Sequence, residues 1–250
     1  MASSLKYITG FFLLLTQVIV AQDFELANKH YRDGKFDAAV TEYEKIIQSG
    51  KESDELYFNL ANSYYKLAKV GPAIYYYEKA LLLDPNDKDV QNNLKFAQKM
   101  QIDEIKELPG SGVNNALSRF TGMFHHDSWA WITVASAFAF LLAFVGYYFI
   151  GATLYKRILF VAMFVMLLLM CISIASAWHQ KRTTDGERPA IVYAEIAGVK
   201  AEPTSDANDA FILHEGAKVY VIESLENWRH ISLADGNDGW IDAKAIRELK

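Results

Sequence analysis

Side chains that carry out covalent chemistry are few and scattered along this chain of 250 residues. Its one cysteine, Cys171, lies inside a long apolar stretch, which suits a small apolar residue better than a redox centre. His125, His126 and Asp127 are adjacent and cannot converge on one metal from a single helix face, so we interpret them as the polar start of a helix. The sequence has no glycine-rich phosphate loop, no Gly-x-Ser-x-Gly elbow and no histidine pair at helix-ligand spacing. We therefore expect a non-enzymatic protein with no cofactor and no metal site.

The elements that hold these residues include two uncharged apolar runs, residues 129–150 and 158–178. At 1.5 Å per residue each run is long enough to cross a hydrocarbon core of about 30 Å as a helix. Tryptophan and tyrosine residues mark the ends of both runs, as they do at membrane interfaces. The sequence thus predicts a two-helix transmembrane hairpin with a basic break at residues 151–157. The alternative is a buried helical hairpin of a soluble protein.

Residues 1–21 combine one lysine, a short apolar centre and a small residue, Ala21, at the end, which is typical of a secretory signal peptide. A third membrane helix is the alternative. Either interpretation carries residue 23 onward across the inner membrane, so the segments on both sides of the hairpin are predicted to be periplasmic. The basic residues Lys156 and Arg157 would then be cytoplasmic, in agreement with the positive-inside tendency.

A period of 34 residues runs through the first part of the chain, where residues 28–39 align with residues 62–73. This is the period of the tetratricopeptide repeat (TPR) family, whose helix pairs the two copies resemble. The first copy departs from the family pattern at His30 and Ile46 and lacks the closing proline. The second copy resembles the pattern at Tyr57, Leu60, Ala61, Tyr64, Ala73, Tyr77, Ala80 and Pro85.

The resemblance predicts an all-α domain over residues 22–108, with repeats at 23–54 and 55–86. A capping helix is expected to follow, because apolar residues from Val90 to Ile105, Phe96 and Ile102 among them, recur at helical spacing. Residues 109–128 form the predicted linker, which ends in a short amphipathic stretch at residues 116–124. The three tyrosines at residues 75–77 are interpreted as core plus surface.

In the TPR family the inner face of each first helix binds extended peptides. The repeat offset carries this role onto a set of polar and aromatic residues, flanked by Phe24 and Phe58. Asparagine amides can pair with a peptide backbone, and arginine or lysine can attract a carboxylate. The alternative is a solvated helix face. For Asn62→Ala we expect lost binding and an unharmed fold, because alanine is the better helix former. The residues implied are Asn28, Tyr31, Arg32, Asn59, Asn62, Tyr65 and Lys66.

Residues 186–250 contain short apolar runs separated by turn residues, which is typical of a small all-β barrel. They resemble the bacterial SH3 (SH3b) family at residues 199–203, 214–219, 228–231 and 239–241. Lys200 and Glu202 depart from the arginine and glycine that are usual in the first of these stretches. The resemblance implies a groove lined by Trp228 and Trp240, and we expect one of the two to pack in the barrel instead.

The charge of the chain and the order of its predicted domains narrow the range of possible functions. Acidic residues exceed basic ones by 30 to 25, and both predicted domains share the excess, which argues against a nucleic-acid partner. Repeats, hairpin and barrel in this order resemble the BatE-like TPR proteins of the Bacteroides aerotolerance (Bat) operon. That resemblance implies a scaffold for von Willebrand A-type membrane proteins and, indirectly, a MoxR-type ATPase, in aerotolerance or oxidative stress. The alternative is a cell-wall factor that binds peptidoglycan through the SH3b domain.

Overall fold

The computed structural model describes residues 23–106, 117, 120–124 and 126–249. The predicted signal peptide, most of the predicted linker and His125 lie outside these residues. The described residues divide into two units. The larger unit joins residues before the hairpin to residues after it, and the smaller unit contains the hairpin.

The helices of the larger unit follow the predicted period. Ser53 and Asp87 act as N-caps, because their side chains accept hydrogen bonds from backbone N–H groups in the first turns of the helices that follow. Fully buried alanines, Ala39 and Ala73 among them, let neighbouring helices approach closely. The helices are residues 23–32 (α1), Phe36–Gln48 (α2), Asp54–Lys66 (α3), Val70–Leu83 (α4) and Lys88–Gln98 (α5).

The capping helix is shorter than predicted, and it covers the repeats only in part. Val90, Leu94 and Ala97 of α5 are buried against the repeats. Phe96 is 53% exposed and Ile102 is 73% exposed, so neither belongs to the cap. Phe96 lies on a face of α5 other than the one that buries Val90, Leu94 and Ala97. Ile102 lies beyond the end of α5 at Gln98, and Ile105 then packs on the barrel core.

The C-terminal residues form an antiparallel seven-stranded SH3-like barrel. Alternate side chains of its strands point inward, and Val199, Val219, Ile231 and Ile241 are fully buried. The strand order is β3-β2-β6-β5-β4-β1-β7. The strands are Pro189–Val192 (β1), Ile196–Lys200 (β2), Asp209–His214 (β3), Lys218–Leu225 (β4), Trp228–Ser232 (β5), Asp238–Asp242 (β6) and Ile246–Glu248 (β7), with a 3-10 turn at Ala243–Ala245.

The barrel packs directly on α4, and two of its buried residues extend the apolar core of the repeats. Ile191 of β1 and Leu249 belong to the same buried cluster as the repeat residues. Gly71 leaves room for this approach, since a Cβ there would lie 3.0 Å from the carbonyl oxygen of Val192. The helix repeats and the barrel are therefore a single folded body within the larger unit.

The smaller unit is a helical hairpin of His126–Phe149 (α6) and Thr153–Gly186 (α7). Both helices are long and apolar enough to cross a membrane. Thr133 and Ser173 join them, with hydroxyl oxygens 2.8 Å apart. The connection is only residues 150–152, shorter than the predicted break, because Lys156 and Arg157 belong to α7. Lysine and arginine are good helix formers with long flexible stems, so these charges do not end a helix.

The predicted amphipathic stretch packs over the start of α6. Phe120 and Phe124 place their rings 5.7 and 5.2 Å from the ring of Trp129. The Trp129 indole N–H donates to the backbone oxygen of Thr121 at 2.8 Å. Met123 is 65% exposed beside them. The position of this stretch at a membrane interface stays a prediction.

Candidate functional site

The predicted groove residues lie on α1 and α3, which sit side by side with α5 in a repeated arrangement. Asn59 Nδ2 donates to Asn28 Oδ1 at 3.3 Å, and the Tyr43 hydroxyl donates to the same oxygen at 2.5 Å. The second repeat makes the same pair of bonds: Asn93 Nδ2 and the Tyr77 hydroxyl donate to Asn62 Oδ1 at 2.9 and 2.6 Å. Every member is 34 residues from its counterpart. We call these six residues the asparagine ladder.

The ladder gives the asparagines a structural role that the sequence did not predict. Asn28 Oδ1 and Asn62 Oδ1 each accept two hydrogen bonds inside the fold, which uses both lone pairs of each amide oxygen. Tyr77 is fully buried, so its hydroxyl has no access to water. We therefore replace the expectation that Asn62→Ala leaves the fold unharmed with the opposite one, because the change would remove the acceptor of the buried Tyr77 hydroxyl.

The remaining predicted groove residues form two rows on the same side of α1 and α3. Tyr31 and Tyr65 are half-buried, and Arg32 and Lys66 beside them are exposed. Burial raises the pKa of the Tyr31 hydroxyl. Arg32 forms an ion pair with Glu25 at 2.6 Å, while Lys66 has no ion pair among the described residues. The rows offer aromatic rings and cations to a ligand, which suits an extended peptide with a carboxylate.

The barrel closes the opposite side of the second repeat. Tyr193 of the barrel packs edge-on against Tyr75 at 5.5 Å, and the Arg247 guanidinium lies over both rings. Lys218 forms an ion pair with Glu78 at 2.8 Å. The interpretation of residues 75–77 as core plus surface needs correction, since all three tyrosines are buried.

A second set of contacts joins the barrel to the chain after α5. Asp103 accepts the backbone N–H of His214 at 2.6 Å and contacts His214 Nδ1 at 2.8 Å. The Gln101 amide donates to the backbone oxygen of Gly216. These polar contacts join the barrel to the chain that follows the helix repeats.

Trp228 and Trp240 lie on the outer face of β5 and β6. Trp240 is directly opposite His230, and their rings stack 4.9 Å apart. Trp228 is two residue pairs further along the same face, opposite Asp242. Both tryptophans are half-buried and neither belongs to the barrel core, so the expectation that one of them fills the core is wrong. Alternate residues of a strand share a face, which is why both rings point outward.

Comparisons with known proteins agree with this architecture. Residues 55–87 match the family model of the tetratricopeptide repeat, and residues 194–248 match that of the bacterial SH3 domain. The first match covers the second repeat, which is the copy with the better pattern. No curated protein matches the chain. The described residues thus combine TPR-type helix pairs, a hairpin of two helices that are long and apolar enough to cross a membrane, and an SH3-like antiparallel sheet, which is the predicted fold class.

Proposed function

We propose that this protein is a non-enzymatic, membrane-anchored scaffold that binds an extended segment of a partner protein through its TPR groove. The observation that carries the proposal is the division of surfaces in the larger unit. The barrel and α5 bury parts of the second repeat, whereas Tyr31, Arg32, Tyr65 and Lys66 remain accessible in two rows. TPR and SH3b domains both suggest binding rather than turnover.

The contact between repeats and barrel supports a single location for both. Tyr75 and Tyr193 are neighbours in space but lie on opposite sides of the hairpin in the sequence. A chain that crosses the membrane twice between them returns to the same side, so the hairpin is compatible with the contact. We place this side in the periplasm, on the outer face of the inner membrane, because of the signal-like residues 1–21.

Fusions to a reporter that is active only outside the cytoplasm test this topology. We expect activity after Lys250 and none at Gly151 in the connection of the hairpin. A fusion at the exposed loop residue Asn208 controls for reporter folding within the barrel. Activity at Gly151 together with silence at Lys250 would reverse the proposed orientation.

Photo-crosslinking in intact membranes tests the groove itself. A photoreactive residue at position 66 should capture a partner, and one at the equally exposed Lys35 should not. The double variant Arg32→Glu/Lys66→Glu should abolish capture from a probe at Tyr65, because it reverses both exposed cations. Capture of the same partners from positions 35 and 66 would contradict a specific groove.

The order of modules supports a finer proposal, a role in a Bat-type aerotolerance or envelope-stress system. The partners would then be membrane-anchored von Willebrand A-type proteins and, through them, a MoxR-type ATPase. Mass spectrometry of the adducts from position 66 tests this directly. Adducts that contain only unrelated envelope proteins would reject the Bat assignment and leave the scaffold proposal intact.

The outward-facing rings of Trp228 and Trp240 favour a second candidate, binding of peptidoglycan through the barrel. Two aromatic side chains on the outer face of a sheet suit the apolar faces of sugars and the stem peptide. Purified protein should then sediment with isolated sacculi, and Trp228→Ser/Trp240→Ser should stay in the supernatant. Wild-type protein that never sediments with sacculi would reject this candidate.

A further inference from the structure

Helix α5 caps the repeats, and it also has residues at the groove positions of a third repeat. Asn93 contacts Asn62 as Asn59 contacts Asn28, so α5 lies against α3 as α3 lies against α1. The offset of 34 residues then places Phe96 at the position of Asn62 and Lys99 at that of Tyr65. The groove face therefore continues from α1 and α3 onto α5.

The surface at this end differs in chemistry from the rest of the groove. A shallow depression of about 540 Å³ runs along α5, lined by Asn92, Lys95, Phe96, Gln98 and Lys99. Phe96 forms its apolar floor, and the Lys99 ammonium lies 5.3 Å from the centre of that ring. Among the residues that the structure describes, none that lines the depression is acidic. The sequence from Val90 to Ile102 also contains no acidic residue, although acidic residues exceed basic ones in the whole chain.

We propose that the α5 depression is a further binding site of the groove and takes an acidic peptide segment with an aromatic or large aliphatic side chain. The apolar side chain would lie on Phe96, which is 53% exposed. Carboxylates on either side of it would pair with Lys95 and Lys99. The site rests on the proposed peptide binding and names the chemistry of the peptide.

Fluorescence anisotropy with the full chain in nanodiscs tests the site. The probe is a short labelled peptide of glutamate and serine around one phenylalanine. Two matched probes replace either the glutamates by lysine or the phenylalanine by serine. We expect the acidic phenylalanine probe to bind on the order of tenfold tighter than each of the others, the size of a few charge-assisted contacts.

Charge reversal in the protein supplies the matched control. Lys95→Glu/Lys99→Glu should weaken the acidic probe about tenfold, whereas Lys29→Glu/Lys35→Glu changes net charge equally and should have little effect. Phe96→Ala should remove the preference for phenylalanine over serine and preserve helicity in circular dichroism. Equal weakening by both double variants would overturn the proposal, because bulk charge would then explain the binding.

Two further outcomes separate this site from the proposed function. If Arg32→Glu/Lys66→Glu abolishes binding while the α5 variants bind normally, the groove proposal stands and the α5 site is rejected. If no variant alters binding, both are rejected. If light scattering shows that Phe96→Ala converts an oligomer to a monomer, a second copy of the chain occupies the depression and the peptide site is rejected.

Discussion

The helices α2 and α4 occupy the same place in consecutive repeats, yet only one of them carries the barrel. Their inner positions agree, since Ala39 and Ala73, like Tyr43 and Tyr77, are fully buried. The residues at their outward-facing positions differ in chemical type. Polar residues of α2 are replaced in α4 by glycine or tyrosine, all of which are buried. The pairs are Asp37 with Gly71, Thr41 with Tyr75 and Glu42 with Tyr76.

This difference shows that shared positions specify the repeat, and divergent positions specify what docks on it. Asp37 and Thr41 are exposed, and Glu42 forms a surface ion pair with Lys45 at 2.7 Å. Surface pairs of this kind contribute little to stability. The α4 counterparts instead pack against the barrel, where burial of aromatic rings stabilises the contact by the hydrophobic effect.

Alkaline pH should have the largest effect on stability, because it ionises tyrosines that are buried in both α2 and α4. Burial raises the pKa of Tyr76 from 10.0 to about 12 and also raises the pKa values of Tyr43, Tyr75 and Tyr77. A raised pKa in the folded state means that the fold holds the neutral form. The stability from these groups is complete below pH 10 and is lost as the pH rises towards 12.

The measurement follows tyrosinate absorbance and helix ellipticity in one titration of the full chain. We expect ionisation of the buried tyrosines to coincide with loss of helicity, and Tyr76→Phe to shift that transition to higher pH. Complete tyrosinate formation near pH 10 with helicity retained would contradict burial of these hydroxyl groups.

Gly71→Asp should have the next largest effect, because it gives α4 the residue that α2 has at the equivalent position and so disturbs the contact with the barrel. A Cβ at Gly71 would lie 3.0 Å from the Val192 carbonyl oxygen and 3.4 Å from Glu215 Oε2. Overpacking of this kind lowers the free energy of unfolding by about 1–3 kcal/mol, and the new carboxylate also faces a carboxylate. Thermal melting and limited proteolysis of the full chain in nanodiscs measure the loss of docking.

The exposed Asp37 supplies the control for that substitution. Asp37→Asn should change the free energy of unfolding by less than about 0.5 kcal/mol, as is usual on a free surface. If Gly71→Asp melts and resists protease like the wild type, the barrel does not rest on α4 as described.

Asn28→Ala and Asn62→Ala test the positions that the two repeats share. Each change removes the acceptor of a buried tyrosine hydroxyl and of a second asparagine, Asn59 or Asn93. An unsatisfied buried donor costs about 1–3 kcal/mol, so both variants should melt at lower temperature. Lys66→Ala, on the exposed groove side, should melt like the wild type. Unchanged melting of both asparagine variants would mean that the ladder does not stabilise the helices.

The fold class was predictable because its signals are local. The 34-residue period predicts helix pairs, the two uncharged runs predict long apolar helices, and the short alternating runs predict strands. Docking of the barrel was not predicted, since Tyr75 and Tyr193 are distant in sequence and follow no common period. A signal was present in the difference between Asp37 and Gly71, because glycine inside a helix calls for a close approach.

The candidate site was predictable only as a set of positions. The repeat offset places Tyr31 with Tyr65 and Arg32 with Lys66 at equivalent positions of α1 and α3, and their binding of a peptide stays a prediction. The partners of Asn28 and Asn62 were missed, because the donors come 31 residues later on the next helix and become neighbours only when the helices pack. The exposure of Phe96 was missed because helical spacing does not show which face of α5 the repeats cover.

The smallest expected effect concerns the turns between paired helices, where the repeats differ by one methyl group. Gly34 has φ +75° and Ala68, its counterpart, has φ 56°, so both adopt the left-handed conformation. The hydrogen bonds of the two turns also agree: Gly34 N–H donates to the Tyr31 oxygen and Ala68 N–H to the Tyr65 oxygen, both at 3.0 Å. Only the side chain distinguishes them.

A Cβ in this conformation costs about 1–2 kcal/mol, because it crowds the carbonyl oxygen that follows. Ala68→Gly removes that strain but adds freedom to the unfolded chain, so we expect a net gain of about 0.5–1 kcal/mol. Gly34→Ala should lose a similar amount, although open space surrounds its Cβ position and nothing there would clash. Thermal melting of the full chain measures both. A lower melting temperature for Ala68→Gly would show that unfolded-chain entropy outweighs the strain, and that the second repeat gains from its alanine.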